Sequence, residues 1–443
     1  MVFPKRNYFF IFKLGFFALI ISVLNGCKEA ENGKSRRKVY VEKKNGKYAL
    51  LKDGKPFFIN GASGYSYCSV LRESGGNTLR TWDTTNLAVI LDSALANNLS
   101  VIVGLYLPDY HETSFFNNPV RAAQMHKDYS AVVNRFKQHP ALLMWSIGNE
   151  VSFPYNPSYN NFYKVFNGLV DMIHRDDPDH PITTVLLNFD KKSILNLVVR
   201  CNIDIISFNI YNRINTLRDD LDWMKWFWNG PFLLSEWGID GPWEGTKQTA
   251  WGAYLEPTST EKAARCLTRY QQYMPVEDSR FLGSCLFYWG HKQEGTHTWF
   301  SLFDEGGAHS ETVGRMKFQW TGKTYKHEFP TVKTMLLNSK KAKDNILLTA
   351  NAPSTAEIFV DSLGGSIKTI KWQLFKEDWL RINNQANTKK LTPLPQLNKN
   401  STELKVAFTA PEEEGPYRIF ATIYNNRGNF ATCNIPFYVV GPP

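Results

Sequence analysis

Ala141-Leu-Leu-Met-Trp-Ser-Ile147-Gly-Asn149-Glu150 and Phe232-Leu-Leu-Ser-Glu236-Trp237-Gly238 are two short apolar runs that each lead into a glutamate. Such runs, too short for an ordinary helix and bounded by glycine, read as strands buried on both faces. Six more of the kind occur at 57–61, 77–82, 100–107, 182–187, 203–211 and 281–289. Between them, stretches at 87–97, 120–138, 159–174 and 261–273 carry apolar residues near helical spacing. Strand and helix alternating eight times over roughly 250 residues predict an α/β fold of the (β/α)8, or TIM, barrel type. An open doubly wound sheet is the alternative, but no glycine-rich phosphate loop follows an early strand.

The chain extends beyond the barrel on both sides. Asn45-Gly46 and Asp53-Gly54 mark turns of a hairpin ahead of the first barrel strand. The barrel domain is therefore expected over 39–335, with a short helical run near 332–337 at its end. From 336 to 443, short alternating strands separated by Pro, Gly and Asn clusters predict a C-terminal β-sandwich, immunoglobulin-like in size and strand spacing. At 443 residues the chain is long enough for two such units, and 43% hydrophobic with 21% charged residues excludes a disordered or low-complexity class. The net charge of +10 is scattered among acids and partly carried by Lys5, Arg6 and Lys13 of the leading segment, so nucleic acid is not an expected partner. Aromatics make up 14%, more flat apolar surface than a core needs.

Basic residues followed by the apolar run 14–24 read as an export signal, too short for a comfortable membrane span. Leu24-Asn25-Gly26-Cys27 resembles a bacterial lipobox. The resemblance implies a signal peptide over 1–26, lipidation of Cys27, a polar tether over 27–38, and a membrane anchor in the cell envelope, at the outer membrane. Five other cysteines (Cys68, Cys201, Cys266, Cys285 and Cys433) show no CxxC spacing, and an odd number cannot pair fully. They read as small buried hydrophobes. His291, His297 and Glu294 match no zinc spacing, and neither a metal nor a cofactor is expected.

Residues at the carboxyl ends of barrel strands share one mouth. Glu150, after the fourth run, and Glu236, after the seventh, project there from opposite sides. A carboxylic acid pair flanking a glycosidic bond supplies a proton for the leaving oxygen and a nucleophile for the anomeric carbon. Each glutamate alone is weak evidence, since a strand-end carboxylate is usually just solvated.

These contexts resemble the clan of retaining glycoside hydrolases built on (β/α)8 barrels, and most nearly the family 2 type of barrel. The resemblance runs from about 60 to 325 and rests on Gly76-Asn-Thr-Leu-Arg80-Thr, His139 to Glu150, Ser207-Phe-Asn-Ile-Tyr211 and Leu234-Ser-Glu-Trp-Gly238. It implies Glu150 as acid/base and Glu236 as nucleophile, Asn149 on the sugar 2-hydroxyl, Arg80 beside the nucleophile, Tyr211 orienting it, and Trp289 as an aromatic floor. Asn209, on the same strand face as Tyr211, reaches the mouth or is structural. Trp82, Tyr106, Trp237, Trp243, Trp299 and Phe300 are further aromatic candidates. His111, Glu112, Lys292 and Glu294 form a polar rim. The expected activity is retaining β-glycoside hydrolysis of an extracellular β-linked poly- or oligosaccharide, β-1,3-glucan being favoured. A glucan transglycosylase using the same glutamates and a non-catalytic glycan-binding lipoprotein stay open as alternatives.

Overall fold

The computed structural model describes residues 37–325, 327–377 and 391–441. The expected signal peptide and Cys27 lie outside these residues, as does nearly all of the tether. Among the described residues, no helix is long and apolar enough to cross a membrane. A three-stranded meander opens the chain, β1 (Val39–Lys44), β2 (Lys47–Lys52) and β3 (Lys55–Pro56), turning at Asn45-Gly46 and Asp53-Gly54 as expected.

Eight parallel strands then close into a barrel: β4 (Ile59–Gly64), β5 (Thr78–Arg80), β6 (Ser100–Leu105), β7 (Leu142–Ile147), β8 (Ile182–Leu187), β9 (Ile205–Asn209), β10 (Phe232–Trp237) and β11 (Phe281–Trp289), with β10 and β11 joining back to β4. Ile59, Ile102, Leu143, Ile205, Leu233 and Leu282 form an apolar plug, and Val39 and Leu50 of the meander pack onto it. The plug keeps water from one end of the barrel, while the ends that carry the acids stay polar. Outside the strands, Leu91, Phe166, Ile173, Ile194 and Leu221 bury the apolar faces of the helices.

The outer helices include α1 (Cys68–Glu73), α2 (Leu87–Ala96), α3 (Thr113–Phe116), α4 (Pro119–Phe136), α5 (Asn160–Asp176), α6 (Lys191–Arg200), α7 (Leu217–Met224), α8 (Ser259–Tyr273) and α9 (Glu311–Thr321). The starts of α4, α6 and α8 are fixed by side-chain caps. Asn118 accepts from the amides of Val120 and Arg121 ahead of Pro119, and Thr258 with Glu261 forms a capping box on α8.

Residues 331–337 are a strand, β13 (Thr331–Leu337), and not the expected helical run. β13 pairs with β15 (Pro353–Ser362) and so already belongs to the sandwich. Its β-branched start and alternating burial outweigh the apparent helical spacing. β13, β15 and β18 (Lys405–Thr409) make one sheet. The other runs β12 (His309–Ser310), β20 (Asn429–Val440), β19 (Gly415–Asn425), β16 (Ile367–Lys376) and β17 (Asn398–Ser401), with β14 (Leu347–Thr349) also on β20. Met335, Ile358 and Phe408 of the first sheet and Trp372, Ile419 and Phe437 of the second share one core.

Barrel and sandwich fall within one compact unit, Lys38–Pro443. Glu256, ahead of α8, is buried and accepts hydrogen bonds from Lys262 Nζ, Thr296 Oγ1 (2.6 Å), Thr298 Oγ1 (2.8 Å) and, from the sandwich, Asn434 Nδ2 (2.8 Å). Arg418 of β19 is buried too. It donates twice to Glu377 (2.8 and 2.7 Å), to Asn434 Oδ1 (2.6 Å) and to the Tyr254 carbonyl (2.8 Å). Cys68, Cys201, Cys266, Cys285 and Cys433 are all free thiols, and all but Cys201 are fully buried.

Candidate active site

The mouth is assembled from the ends of β5, β7, β9 and β10. Arg80, the last residue of β5, turns inward and is 1% exposed. Its Nη1 donates to Glu236 Oε1 at 2.5 Å and its Nη2 to Asn149 Oδ1 at 2.6 Å. Trp82, two residues on, donates its indole N–H to Glu236 Oε1 at 2.6 Å. Tyr211 donates to Glu236 Oε2 at 2.7 Å. Every one of these partners donates, a set that an acceptor-only carboxylate satisfies through both oxygens. Hydrogen bonds to a charged group contribute about 1.5–3 kcal/mol each, so three of them offset the several kcal/mol lost on burying it.

Glu150 is positioned by its backbone. After β7 the chain passes through positive φ at Gly148 (+73°) and again at Glu150 (+54°). A left-handed conformation costs a non-glycine residue about 1–2 kcal/mol, and here the excursion brings the carboxylate to Asn209. Asn209 Nδ2 donates to Glu150 Oε1 (3.1 Å) and to Asn149 Oδ1 (3.2 Å). Ser235 fixes that amide by donating to Asn209 Oδ1 (2.8 Å), while its own carbonyl accepts from Ser63 Oγ (2.7 Å). A continuous chain of contacts thus links Glu236 through Arg80, Asn149 and Asn209 to Glu150.

The two acids sit in different electrostatic settings. Glu150 keeps exposed surface at the mouth. Even so, protein packed around its carboxyl, and secondly the charge of Glu236, raise it above the usual 4.5, against the pull of Asn209 and Arg80. Burial, with Glu236 next, pushes the Tyr211 phenol well above its ordinary value, so it stays a donor.

Glu150, Glu236, Arg80, Asn149, Asn209, Tyr211 and Trp82 are therefore brought together, with Lys292 and Glu294 at their edge, whereas Trp289, Trp237 and His111 are not. Trp289 is fully buried, its indole donating to the Tyr67 carbonyl (3.2 Å) and its ring packed edge-on to Phe303. The pairing of β11 with β4 shifts register between Leu286 and Trp289, which turns Trp289 away from the mouth. Trp237 is likewise fully buried, against Tyr270 of α8. Next to an inward Glu236 its side chain points outward toward the helices. Neither tryptophan can form a sugar platform.

His111 is exposed on a rim loop, bonded to Asp109 (2.7 Å), and joins no contact of the glutamate network. Trp299 and Phe300 are buried, whereas Trp243 and Tyr106 are exposed.

Phe287 and Tyr288, neither of them an expected site residue, take up part of the floor. Phe287 packs edge-on to Tyr211 (5.8 Å) and Trp82 (5.9 Å), and Tyr288 stacks on Trp82 at 5.6 Å. Lys292 pairs with Glu294 (2.9 Å), its ammonium lying 4.9 Å from the Phe287 ring centre. Gly104 of β6 is a close-approach position. A Cβ there would meet the Trp82 carbonyl carbon at 2.3 Å, so a side chain would displace the segment that carries the indole. The Phe-Tyr pair stands beside Trp289 in the sequence, but the register shift that exchanges their faces has no sequence signal.

Residues 76–258 match the family model described as Glycosyl hydrolases family 2, TIM barrel domain. The match takes in barrel strands two to seven and every member of the glutamate network, and it supports a glycosidase. No curated protein matches the sequence. Among solved structures, Bifidobacterium dentium beta-glucuronidase, complexed with coumarin-3-O-glucuronide, is similar at 19% identity over 66% of this chain and 52% of that one, with a TM-score of 0.51. A calcium-binding mutant of Bacteroides uniformis beta-glucuronidase 2 aligns over 91% of this chain and 48% of its own at 12% identity, TM-score 0.50. The endo-beta-1,4-mannanase of Thermotoga petrophila aligns over 88% and 99% at 12% identity, TM-score 0.44. The chain thus spans about half the length of the first two. At these identities the likeness is one of fold.

Proposed function

We propose that the protein is a retaining β-glycoside hydrolase that works by double displacement on a β-linked poly- or oligosaccharide, with β-1,3-glucan the first substrate to test. The observation that carries the reading is the asymmetry of the two acids: three donors converge on Glu236, while the carboxyl of Glu150 is raised. Glu236 attacks the anomeric carbon as Glu150 gives its proton to the departing oxygen. Glycosylation removes the negative charge of Glu236, and with it one of the influences that raise Glu150. Glu150 then takes a proton from water, which attacks the same carbon and releases Glu236. Arg80 holds Asn149 and Glu236 at once, so the amide expected to meet the 2-hydroxyl is fixed relative to the nucleophile.

Two successive displacements leave the configuration unchanged. Proton NMR of the first product from a β-glycoside is expected to show the β-anomer, and first appearance of the α-anomer overturns the reading. The same reading sets the enzyme outside the cytoplasm on a lipid carried by Cys27, so Cys27→Ser is expected to move it from membranes to the soluble fraction; a variant that stays with the membrane removes the anchor.

The hydrogen bond from Asn209 favours the ionised form of Glu150. Asn209→Ala removes it, so the carboxyl is expected to hold its proton to higher pH. The alkaline limb of kcat/KM then moves to higher pH, even as the rate at the optimum falls. A limb that stays in place, or moves to lower pH, shows that Glu150 is not the group titrating there.

A further inference from the structure

Behind the loop that follows β11, where it faces the sandwich, lies a cavity of about 700 Å³, within the ~300–1,000 Å³ of small-molecule sites. One wall is the second sheet. Strand register sets Thr422 between Lys371 and Thr432, pairs Gln373 with Asn398, and places Tyr424 beside Phe430. Side chains alternate along a strand, so positions two apart present one face, and all of these line the cavity.

A sheet face turned toward a neighbouring layer is normally apolar. This one offers hydroxyls and amides that are largely buried, with Gln373 9%, Thr422 8% and Thr432 4% exposed. On the barrel side, Gln293 lines the same space, and among the described residues its buried amide nitrogen has no hydrogen-bond partner. A buried unpaired donor costs about 1–3 kcal/mol, and native structures carry few of them.

The lining also limits the ligand. Lys371 is countered by Asp304 and Glu305. His297, packed between Phe375 and Phe420, is pushed down to about 4 by burial and is neutral at physiological pH. An anion meets no net positive field, and a hydrocarbon would leave the Gln293 amide nitrogen unpaired. A neutral polyol satisfies amides and hydroxyls through its own hydroxyls and lays its C–H faces on Tyr424 and Phe430.

We propose that this cavity is a second carbohydrate-binding site, separate from the catalytic mouth, that takes a neutral β-linked oligosaccharide. The choice of ligand class rests on the glycosidase reading; the site itself does not. The loop that walls it also carries Lys292 and Glu294, which face the mouth, so a sugar chain held here lies one loop away from the reacting pair.

The test is isothermal titration of β-1,3-glucotriose and of β-1,4-mannotriose into Glu236→Ala, alone and combined with Thr422→Trp or Gln373→Ala. Thr422→Trp puts a bulky ring into the middle of the sheet wall. Gln373→Ala removes an amide without adding bulk and covers any misfolding of the first. Two sites are expected in Glu236→Ala, with one lost or weakened at least tenfold in each double variant. One-site binding that neither added substitution changes, or no binding of either trisaccharide at millimolar concentration, overturns the proposal. If the wild type hydrolyses no β-glycoside but the second site behaves as described, the glycosidase reading falls and the cavity stands. Full hydrolysis with one-site binding has the opposite meaning.

Discussion

Glu236→Ala lowers kcat/KM by on the order of 10⁵-fold, about 7 kcal/mol at 1.36 kcal/mol per factor of ten. The size follows from what is removed. Without the carboxylate no covalent intermediate forms, and Arg80, Trp82 and Tyr211 donate into empty space where they had held a nucleophile. The alanine variant also melts below the wild type, because the guanidinium of Arg80, 1% exposed, keeps only Asn149 as a side-chain acceptor. Glu236→Gln keeps the shape and separates the two effects, since it loses the reaction and little of the stability. Azide fits the space vacated in Glu236→Ala and meets the same donors. Its terminal nitrogen bonds to the anomeric carbon while the aglycone leaves with the proton of Glu150, giving a glycosyl azide of inverted configuration. Undiminished turnover in either variant, or an azide product of retained configuration, takes the nucleophile's role away from Glu236.

Glu256→Ala costs about 3–5 kcal/mol of stability, the range for breaking a buried ion pair by removing one partner. Lys262, Thr296, Thr298 and Asn434 lose a shared acceptor in a place that water does not reach, and Lys262 keeps only the Thr298 carbonyl among the described residues. Burial by itself pushes the Glu256 carboxyl up, but Lys262, Thr296 and Arg418 prevail and hold it below the usual 4.5. Burial pushes the Lys262 ammonium down against the pull of Glu256, so Thr296 and Arg418 add to the lysine in keeping the carboxylate ionised. A carboxyl depressed in the folded state contributes stability above its unfolded value that is lost as pH falls through the folded one. The wild type should therefore lose stability on acidification below about 4.5, and Glu256→Gln should show a flatter acid limb. Chemical denaturation across that range measures both. An unchanged midpoint in Glu256→Ala, or parallel acid limbs, shows that the cluster contributes little.

How much of this was legible in the sequence depended on where the deciding contacts lie. Runs 182–187 and 281–289 coincide with β8 and β11 to the residue, because β-branched and aromatic residues crowd a strand covered on both faces. Helices α6 and α9 pass unread, and β13 reads as helix because a few apolar residues fit either period. At the mouth, the acids and their polar neighbours are legible since each ends a strand, and the barrel's symmetry brings strand ends together. The aromatic lining is not. Whether Phe287 or Trp289 faces the mouth depends on a slip in pairing between β11 and β4, and Ser235 matters only through a neighbour 26 residues away.

The unbroken run of contacts from Glu236 to Glu150 has a bearing on how any bell-shaped rate profile is interpreted. Two ionisable groups that feel one another through shared partners release their protons as a joint system, so neither apparent constant is the private property of one side chain. A substitution at Arg80 or Asn149, midway along that line, would then move both flanks of the bell at once, although neither residue exchanges a proton in the reaction.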